Sequence, residues 1–279
     1  MPAPSPTARA GGGSSARAGP MPPPRSRGCA SRWRPPNPMT CTRPISMLYV
    51  SLLHLPRGRP CWRHLDPYQA HQLAWKAFPG IPRDGGARPF LFSLDERGPH
   101  HSLLVQSTRA PDWGFLDGTA RMQTKCFDPQ RIPADTPLRF FLRANPTVDR
   151  KGFRDGKKRR VAVGINPELA FRRMGRPGDT PTTPEAIAAW REAELKGWLE
   201  RQGERRGFAV EACAPGPIVA RRIVRTERGR PRGKAMTFHE VEFTGTLRIT
   251  DRDAFTRTLR EGLGRGRAFG YGLLMVRPA

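Results

Sequence analysis

Gly262-Leu263-Gly264-Arg265-Gly266-Arg267-Ala268-Phe269-Gly270-Tyr271-Gly272, followed by the apolar run Leu-Leu-Met-Val at 273–276, lies within the last twenty residues of this chain. Two Gly-apolar-Gly triplets bracket a five-residue segment carrying Arg265 and Arg267. Glycine lacks Cβ, so its backbone comes close to a neighbour and reaches φ > 0 without strain. Arginines in such a loop add guanidinium forks to the exposed N–H groups, a combination suited to phosphate. A dinucleotide fingerprint leaves a strand and opens a helix. Here the order is reversed: the helical pattern Asp253–Glu261 comes first and a strand follows. No Lys-Ser/Thr pair closes the loop, so a Walker-type site is excluded. The plainer reading, a glycine-rich connection with no partner, leaves the arginines unexplained. Gly264, Arg265, Gly266, Arg267 and Gly270 are therefore candidate residues for holding the phosphates of a polyanion.

Working outward, helix, glycine loop and strand form the end of a larger unit. Ile218–Val224 and Lys234–Ile249 read as strands around a basic hairpin tip that carries Arg225, Arg228, Arg230 and Arg232. Before them stand a strand at Phe208–Ala212 and a long helix from Thr183, its N-cap, to about Arg205. Ile187, Trp190, Leu195, Trp198 and Leu199 share its broad apolar face. Residues 149–160, with Lys157 and Lys158, read as a basic loop before a short strand at Val161–Ile165. Leu138–Pro146 opens the unit with a strand, and Pro129–Pro137 reads as a linker. Upstream, Met47–Leu55 is a strand candidate. Asp66-Pro-Tyr-Gln then starts a helix with an N-cap, a proline at the first position and a box-like cap at Gln69, and Pro79-Gly80 stops it. Phe90–Leu94 and Leu103–Gln106 follow as strands around a polar turn holding His100 and His101, and Ala120–Phe127 as another. Trp113 reads as a structural plug.

Both halves thus read β-α-β-β-α-β, although the first shows no clear second helix. The fold class is α+β, with two tandem ferredoxin-like (RRM-like) domains at 47–134 and 135–279. Residues 1–46, rich in Pro, Arg, Gly and Ser, have too little apolar surface to order themselves. They read as a disordered extension, or as translated upstream sequence with the product starting near Met47.

The chain of 279 residues carries a net charge of +25 and a pI near 11.5. Residues 1–46 hold seven arginines and no acid, which leaves +18 on the rest. Such a balance selects a polyanion, and nucleic acid first. No apolar run approaches the ~18 residues that span a bilayer. Five cysteines without a C-x-x-C pair speak against a disulfide framework and a structural zinc site, and fit reducing cytoplasm. No motif calls for a cofactor.

Chemistry, if present, centres on Tyr68 and His71, three residues apart on the Asp66 helix. RNA is cleaved without metal when a base takes the ribose 2′-OH proton, an acid protonates the leaving 5′-oxygen and cations stabilise the phosphorane. Histidine fills either proton role. Tyr68, with a free pKa of about 10, suits orientation or proton donation better than base catalysis. Arg225, Arg228 or the loop arginines would supply positive charge. Against this stands the plainer reading that an isolated helical histidine packs or faces solvent. His54, His64, His100, His101 and His239 compete, and none has a partner at metal-ligand spacing.

From Met47 onward the chain resembles the CasE family of CRISPR-associated endoribonucleases, the repeat-processing subunit of type I-E Cascade. The resemblance rests on Asp66-Pro-Tyr-Gln-Ala-His71, Val105-Gln-Ser with Pro111-Asp-Trp113, Leu138-Arg-Phe-Phe-Leu-Arg-Ala-Asn-Pro146 leading to Gly156-Lys-Lys-Arg, and Phe243-Thr-Gly-Thr-Leu. The loop Gly262–Gly272 resembles the wider CRISPR repeat-associated superfamily. The resemblance implies two ferredoxin-like domains and metal-independent cleavage at the 3′ base of a CRISPR repeat hairpin. It also implies 2′,3′-cyclic phosphate and 5′-hydroxyl ends, retention of the mature crRNA, and association with other Cascade subunits. The family's helix histidine falls on His71 and its tyrosine on Tyr68, while its hairpin cations fall within Arg225–Arg232 without a single assignment. The competing function is a non-catalytic ferredoxin-like RNA-binding subunit of a ribonucleoprotein.

Overall fold

The computed structural model describes residues 47–83, 88–134, 136–151, 158–227 and 230–279, without the side chains of 151, 225–227 and 230–232. The extension 1–46, Lys157 and Arg228 lie outside the described residues. The first half contains β1 (Leu48–Pro56), α1 (Pro67–Lys76), β2 (Phe90–Asp95), β3 (His100–Ser107) and β4 (Arg121–Phe127). These strands form an antiparallel sheet in the order β2-β3-β1-β4, the ferredoxin-like arrangement. Where a second helix would cross, the chain makes one 3₁₀ turn at Gly114–Leu116. Pro111 and two glycines leave no room for a longer helix, and Gly118 turns at φ 70°. Trp113 fills the space instead: it is buried, and its indole N–H donates to Ser51 Oγ at 2.9 Å.

α1 forms as its sequence dictates. Asp66 accepts from the Gln69 N–H at 2.7 Å, and Gln69 Oε1 accepts from the Asp66 N–H at 3.1 Å, completing a capping box. Such a cap contributes about 1 kcal/mol. Ala70, Leu73 and Ala74 face the core with Phe78, Phe90 and Phe92. His101 is not in a turn, as the polar neighbours implied, but in β3 and buried, because strand alternation sends it inward.

The second half runs β5 (Leu138–Ala144), β6 (Thr147–Lys151), β7 (Lys158–Ala162), α2 (Pro167–Arg173), α3 (Pro184–Glu204), β8 (Phe208–Pro215), β9 (Val219–Glu227), β10 (Arg230–Ile249), α4 (Arg252–Glu261) and β11 (Leu274–Pro278). The antiparallel order β11-β5-β10-β8 repeats the ferredoxin-like pattern. Trp198, Leu199, Phe243, Leu247, Phe255 and Leu259 form its core. Gly245 permits the β10–β8 contact, since a Cβ there would lie 1.9 Å from the Ala212 carbonyl oxygen. Three features differ from the sequence reading. Residues 149–160 are not simply a loop, because β6 and β7 pair from Thr147↔Ala162 to Lys151↔Lys158. α2 was not anticipated, although Asn166 caps it and Pro167 starts it. The basic tip is narrower than expected: β9 and β10 pair out to Glu227↔Arg230, so Arg225, Arg230 and Arg232 ride on strands of one long arm.

β10 spans twenty residues. Its first part pairs with β9 and its second part lies between β5 and β8, so the arm extends the second sheet directly. Polar contacts tie the two halves. Arg143 on β5 donates to the Leu94 carbonyl of β2, and to Glu242 Oε1 at 3.2 and 2.7 Å, with Glu240 at 3.5 Å. Arg221 pairs with Glu96, Gln106 donates to the Leu259 carbonyl, and Leu48 of β1 is buried in the second core.

Candidate active site and nucleic-acid interface

His71 lies on the face of α1 that meets β2. Its ring stacks on Phe92 with centroids 6.0 Å apart and planes at 26°, and tilts against Phe90 at 5.8 Å. The Trp75 indole N–H donates to His71 Nε2 at 3.2 Å. Burial first, then the charges of Arg88 and Arg83, pull the His71 pKa down from 6.5 to about 4. The imidazole is therefore neutral at pH 7, with its Nε2 lone pair directed at Trp75 and its proton on Nδ1. A half-buried, neutral histidine held between aromatic rings is ready to accept a proton once an alcohol replaces the indole.

Tyr68, one turn earlier, meets different neighbours. It packs on the cluster of Ile223, Phe238, Phe269 and Tyr271, all from the second half. Phe238 of β10 contacts Phe269 and Tyr271 of the glycine loop, with centroids 4.9 and 5.4 Å apart. The Tyr271 hydroxyl donates to Glu240 Oε2 at 3.1 Å. α1 is thus seated directly on the arm and on the glycine loop.

The loop's glycines answer to protein contacts. At φ 84°, Gly270 places the site of its missing Cβ 3.1 Å from Phe92, the ring that stacks on His71. A Cβ on Gly266, also at φ 84°, would meet Tyr271 at 2.7 Å, and one on Gly264 would lie 3.3 Å from Trp198. Close backbone approach was read as a fit to phosphate; in the fold it seats the loop against β2, β10 and α3. The arginines of the same loop turn elsewhere. Arg265 and Arg267 line a groove of about 1120 Å³ together with Arg88, Arg160, Arg201, Arg205 and Arg206. Asp149 is the one acid among its described lining residues, 3.4 Å from Arg160 and 4.0 Å from Arg265. Asn145 fixes the floor: its side-chain oxygen accepts from the His239 N–H at 3.0 Å, and its backbone bridges to Arg265. Seven arginines against one carboxylate make a channel for a polyanion.

The structure thus brings Arg265, Arg267, Gly264 and Gly266 into one groove and sets Gly270 behind His71. Lys158 is exposed at the start of β7 and does not line the groove. Arg225 and Arg232 pair through their backbones on the arm, and Arg230 pairs with Glu227. Arg88, Arg201, Arg205 and Arg206 escaped the sequence reading. The i, i+4 spacing of Arg201 and Arg205 at the end of α3 was a legible sign of a basic helix face. Nothing local marked Arg88. No helix among the described residues is long and apolar enough to cross a membrane.

Residues 48–278 match a family described as CRISPR associated protein. The chain belongs to the CRISPR-associated protein family. Among its relatives, the CRISPR-associated endoribonuclease Cse3 of Thermus thermophilus is 32% identical over 243 residues, covering 83% of this chain and 100% of the relative. The CRISPR system Cascade subunit CasE of Escherichia coli is 30% identical over 233 residues, with the same coverages. Among solved structures, Thermus thermophilus Cse3 bound to an RNA representing a pre-cleavage complex aligns with a TM-score of 0.58 at 28% identity, over 83% of this chain and 100% of that one. Cas6e from Escherichia coli aligns with a TM-score of 0.53 at 26% identity, also over 83% and 100%. This CRISPR-associated chain therefore shares their two-part ferredoxin-like fold, and the CasE-type resemblance of its motifs stands.

Proposed function

We propose that the protein is an endoribonuclease that binds CRISPR repeat hairpins in precursor RNA and cuts at the 3′ base of the stem. The observation that carries this is His71 on α1, stacked on Phe92 and accepting from Trp75, with the charge of Arg88 acting on it and Arg88 also lining the seven-arginine groove. The RNA-bound relatives give the substrate class. In this reading the N-terminal half, 47–134, carries the proton-transfer groups, and the C-terminal half, 135–279, holds the RNA. Arg225, Arg230 and Arg232 on the arm contact the stem, as does Arg228, and Lys158 at the start of β7 extends that surface with Lys157. Arg265 and Arg267, on the backbone that Gly264, Gly266 and Gly270 shape, grip the strand entering the groove.

The chemistry follows from proton positions. His71 Nε2 exchanges its Trp75 hydrogen bond for the 2′-hydroxyl and takes its proton. The 2′-oxygen forms a bond to the scissile phosphorus, and the bond to the 5′-oxygen breaks. The Tyr68 hydroxyl donates a proton to that leaving oxygen. Products are a 2′,3′-cyclic phosphate and a 5′-hydroxyl, and no metal takes part. The bound phosphate raises the His71 pKa by offsetting the arginines that hold it down, which strengthens the base as the substrate seats. The enzyme then keeps the mature crRNA as a Cascade subunit in the cytoplasm.

Labelled repeat RNA incubated with the protein in EDTA is expected to give one cut with a cyclic phosphate, and His71→Ala is expected to bind without cutting. A wild-type protein that binds the hairpin and leaves it intact would instead be a non-catalytic RNA-binding subunit. Cutting that depends on added metal, or that persists in His71→Ala, would overturn the mechanism.

A further inference from the structure

Arg88 sits two residues ahead of Phe90, at the entry to the strand whose phenyl rings hold His71. It also lines the arginine groove, which makes it the residue shared by the groove and the histidine's surroundings. A buried, unpartnered nitrogen distinguishes it from Arg160, Arg206 and Arg267 of the same groove. Arg160 has Asp149, Arg206 donates to the Gly262 carbonyl at 3.1 Å, and Arg267 donates to the Glu261 carbonyl. Arg88 Nη1 is buried with no hydrogen-bond partner among the described residues. Burial and the charge of Arg267 both disfavour its protonated form. A guanidinium nitrogen kept from water, without an acceptor and on a side chain that feels another cation's charge, is a site awaiting an anion.

We infer that Arg88 is a catalytic cation that donates to a non-bridging oxygen of the scissile phosphate. The inference deepens the proposed ribonuclease function and rests on it. As the 2′-oxygen adds to phosphorus, negative charge grows on the non-bridging oxygens before the 5′-oxygen departs. The planar fork of Arg88 meets that charge from the groove side, while His71 works at the 2′-oxygen. Its Nη1 is desolvated beforehand, so the interaction strengthens in the transition state rather than in the bound complex.

The test is single-turnover cleavage of the repeat hairpin at saturating protein, with oxygen or sulfur at each non-bridging position of the scissile phosphate. Arg88→Ala is expected to slow cleavage of the oxygen substrate about 100-fold, with affinity within about threefold. Arg88→Lys is expected to recover part of the rate. One sulfur isomer is expected to slow the wild type, and that penalty should vanish in Arg88→Ala; a purely structural role would leave it intact. Cleavage of Arg88→Ala at the wild-type rate, or weakened binding with full cleavage at saturation, overturns the inference while leaving the ribonuclease reading standing. A wild-type protein that fails to cut removes both. Thermal melting of the Ala and Lys variants separates loss of fold, and Arg88→Gln replaces whichever fails to fold.

Discussion

The Trp75 indole N–H donates to His71 Nε2 across 3.2 Å, one helical turn along α1. Trp can only donate, so this bond selects the imidazole with an unprotonated Nε2. Trp75→Phe removes the competitor and frees the lone pair. The His71 pKa is then expected to rise somewhat above about 4 while staying well below 6.5, because burial, Arg88 and Arg83 still hold it down. Titration of the ring by NMR checks this, and an unmoved midpoint would show that Trp75 only packs.

The same low pKa sets the pH dependence of activity. The profile of kcat/KM reports groups in the free enzyme. With His71 as base and a pKa of about 4, kcat/KM should rise with pH through that value and stay level from about 6 to 8. A decline with rising pH over this range would make His71 the acid and pass the base role to another group.

Stability carries a matching signature. Unfolded His71 binds a proton near 6.5, and folded His71 only near 4. Between these values the unfolded chain holds the extra proton, so acid favours unfolding. The contribution is complete above about 6.5 and is lost as pH falls toward 4. His71→Phe removes the titration, and its Tm is expected to fall less than that of the wild type between pH 7 and 5. Equal losses would show that other groups govern acid unfolding.

Arg143 joins the halves through Leu94, Glu240 and Glu242. Its side chain is 8% exposed and that of Glu240 13%. Removing one member of a buried charge network leaves the others uncompensated. Arg143→Ala should cost about 3 kcal/mol, read from urea unfolding. A cost below about 1 kcal/mol would mark the network as a surface pair.

The loop offers a contrast between grip and support. Arg265→Ala with Arg267→Ala should weaken RNA binding and lower the slope of log K against log salt by about 1.5, with cleavage at saturation preserved. Gly270→Ala forces a Cβ against Phe92 at φ 84° and should cost about 1–2 kcal/mol. Because Phe92 backs His71, cleavage should fall further than affinity. Loss of affinity alone in Gly270→Ala would place that glycine at the RNA instead.

Much of the fold was legible because its signals are local. Asp66-Pro-Tyr-Gln announced α1 through side chains that satisfy the first turn's own N–H groups, and Thr183 did the same for α3. Alternating apolar residues marked most core strands. The β6–β7 pair was hidden because charged residues such as Asp149, Arg150, Arg159 and Arg160 fill its middle, and none of its described side chains is fully buried to impose alternation. α2 was short, with no buried side chain to give a period. The pair Tyr68 and His71 was readable from helical spacing, but not that one meets the second half's aromatic cluster while the other stacks on β2.

Taken alone, the sequence determined the charge, most of the order of helices and strands apart from β6 and α2, the capped helix bearing His71, and a glycine-rich loop with two arginines. The tertiary structure decided what that loop touches. Its glycines let backbone pass close to Phe92, Tyr271 and Trp198, while its arginines join others from β7, α3 and the approach to β2. Loop and histidine are nearly two hundred residues apart in the chain, yet only the Phe92 ring separates Gly270 from His71. Caps and strand periods arise between neighbours a few residues apart, so the sequence displays them. A groove of pooled charge and the burial that keeps His71 neutral arise from packing between distant segments, and only the folded chain brings those together.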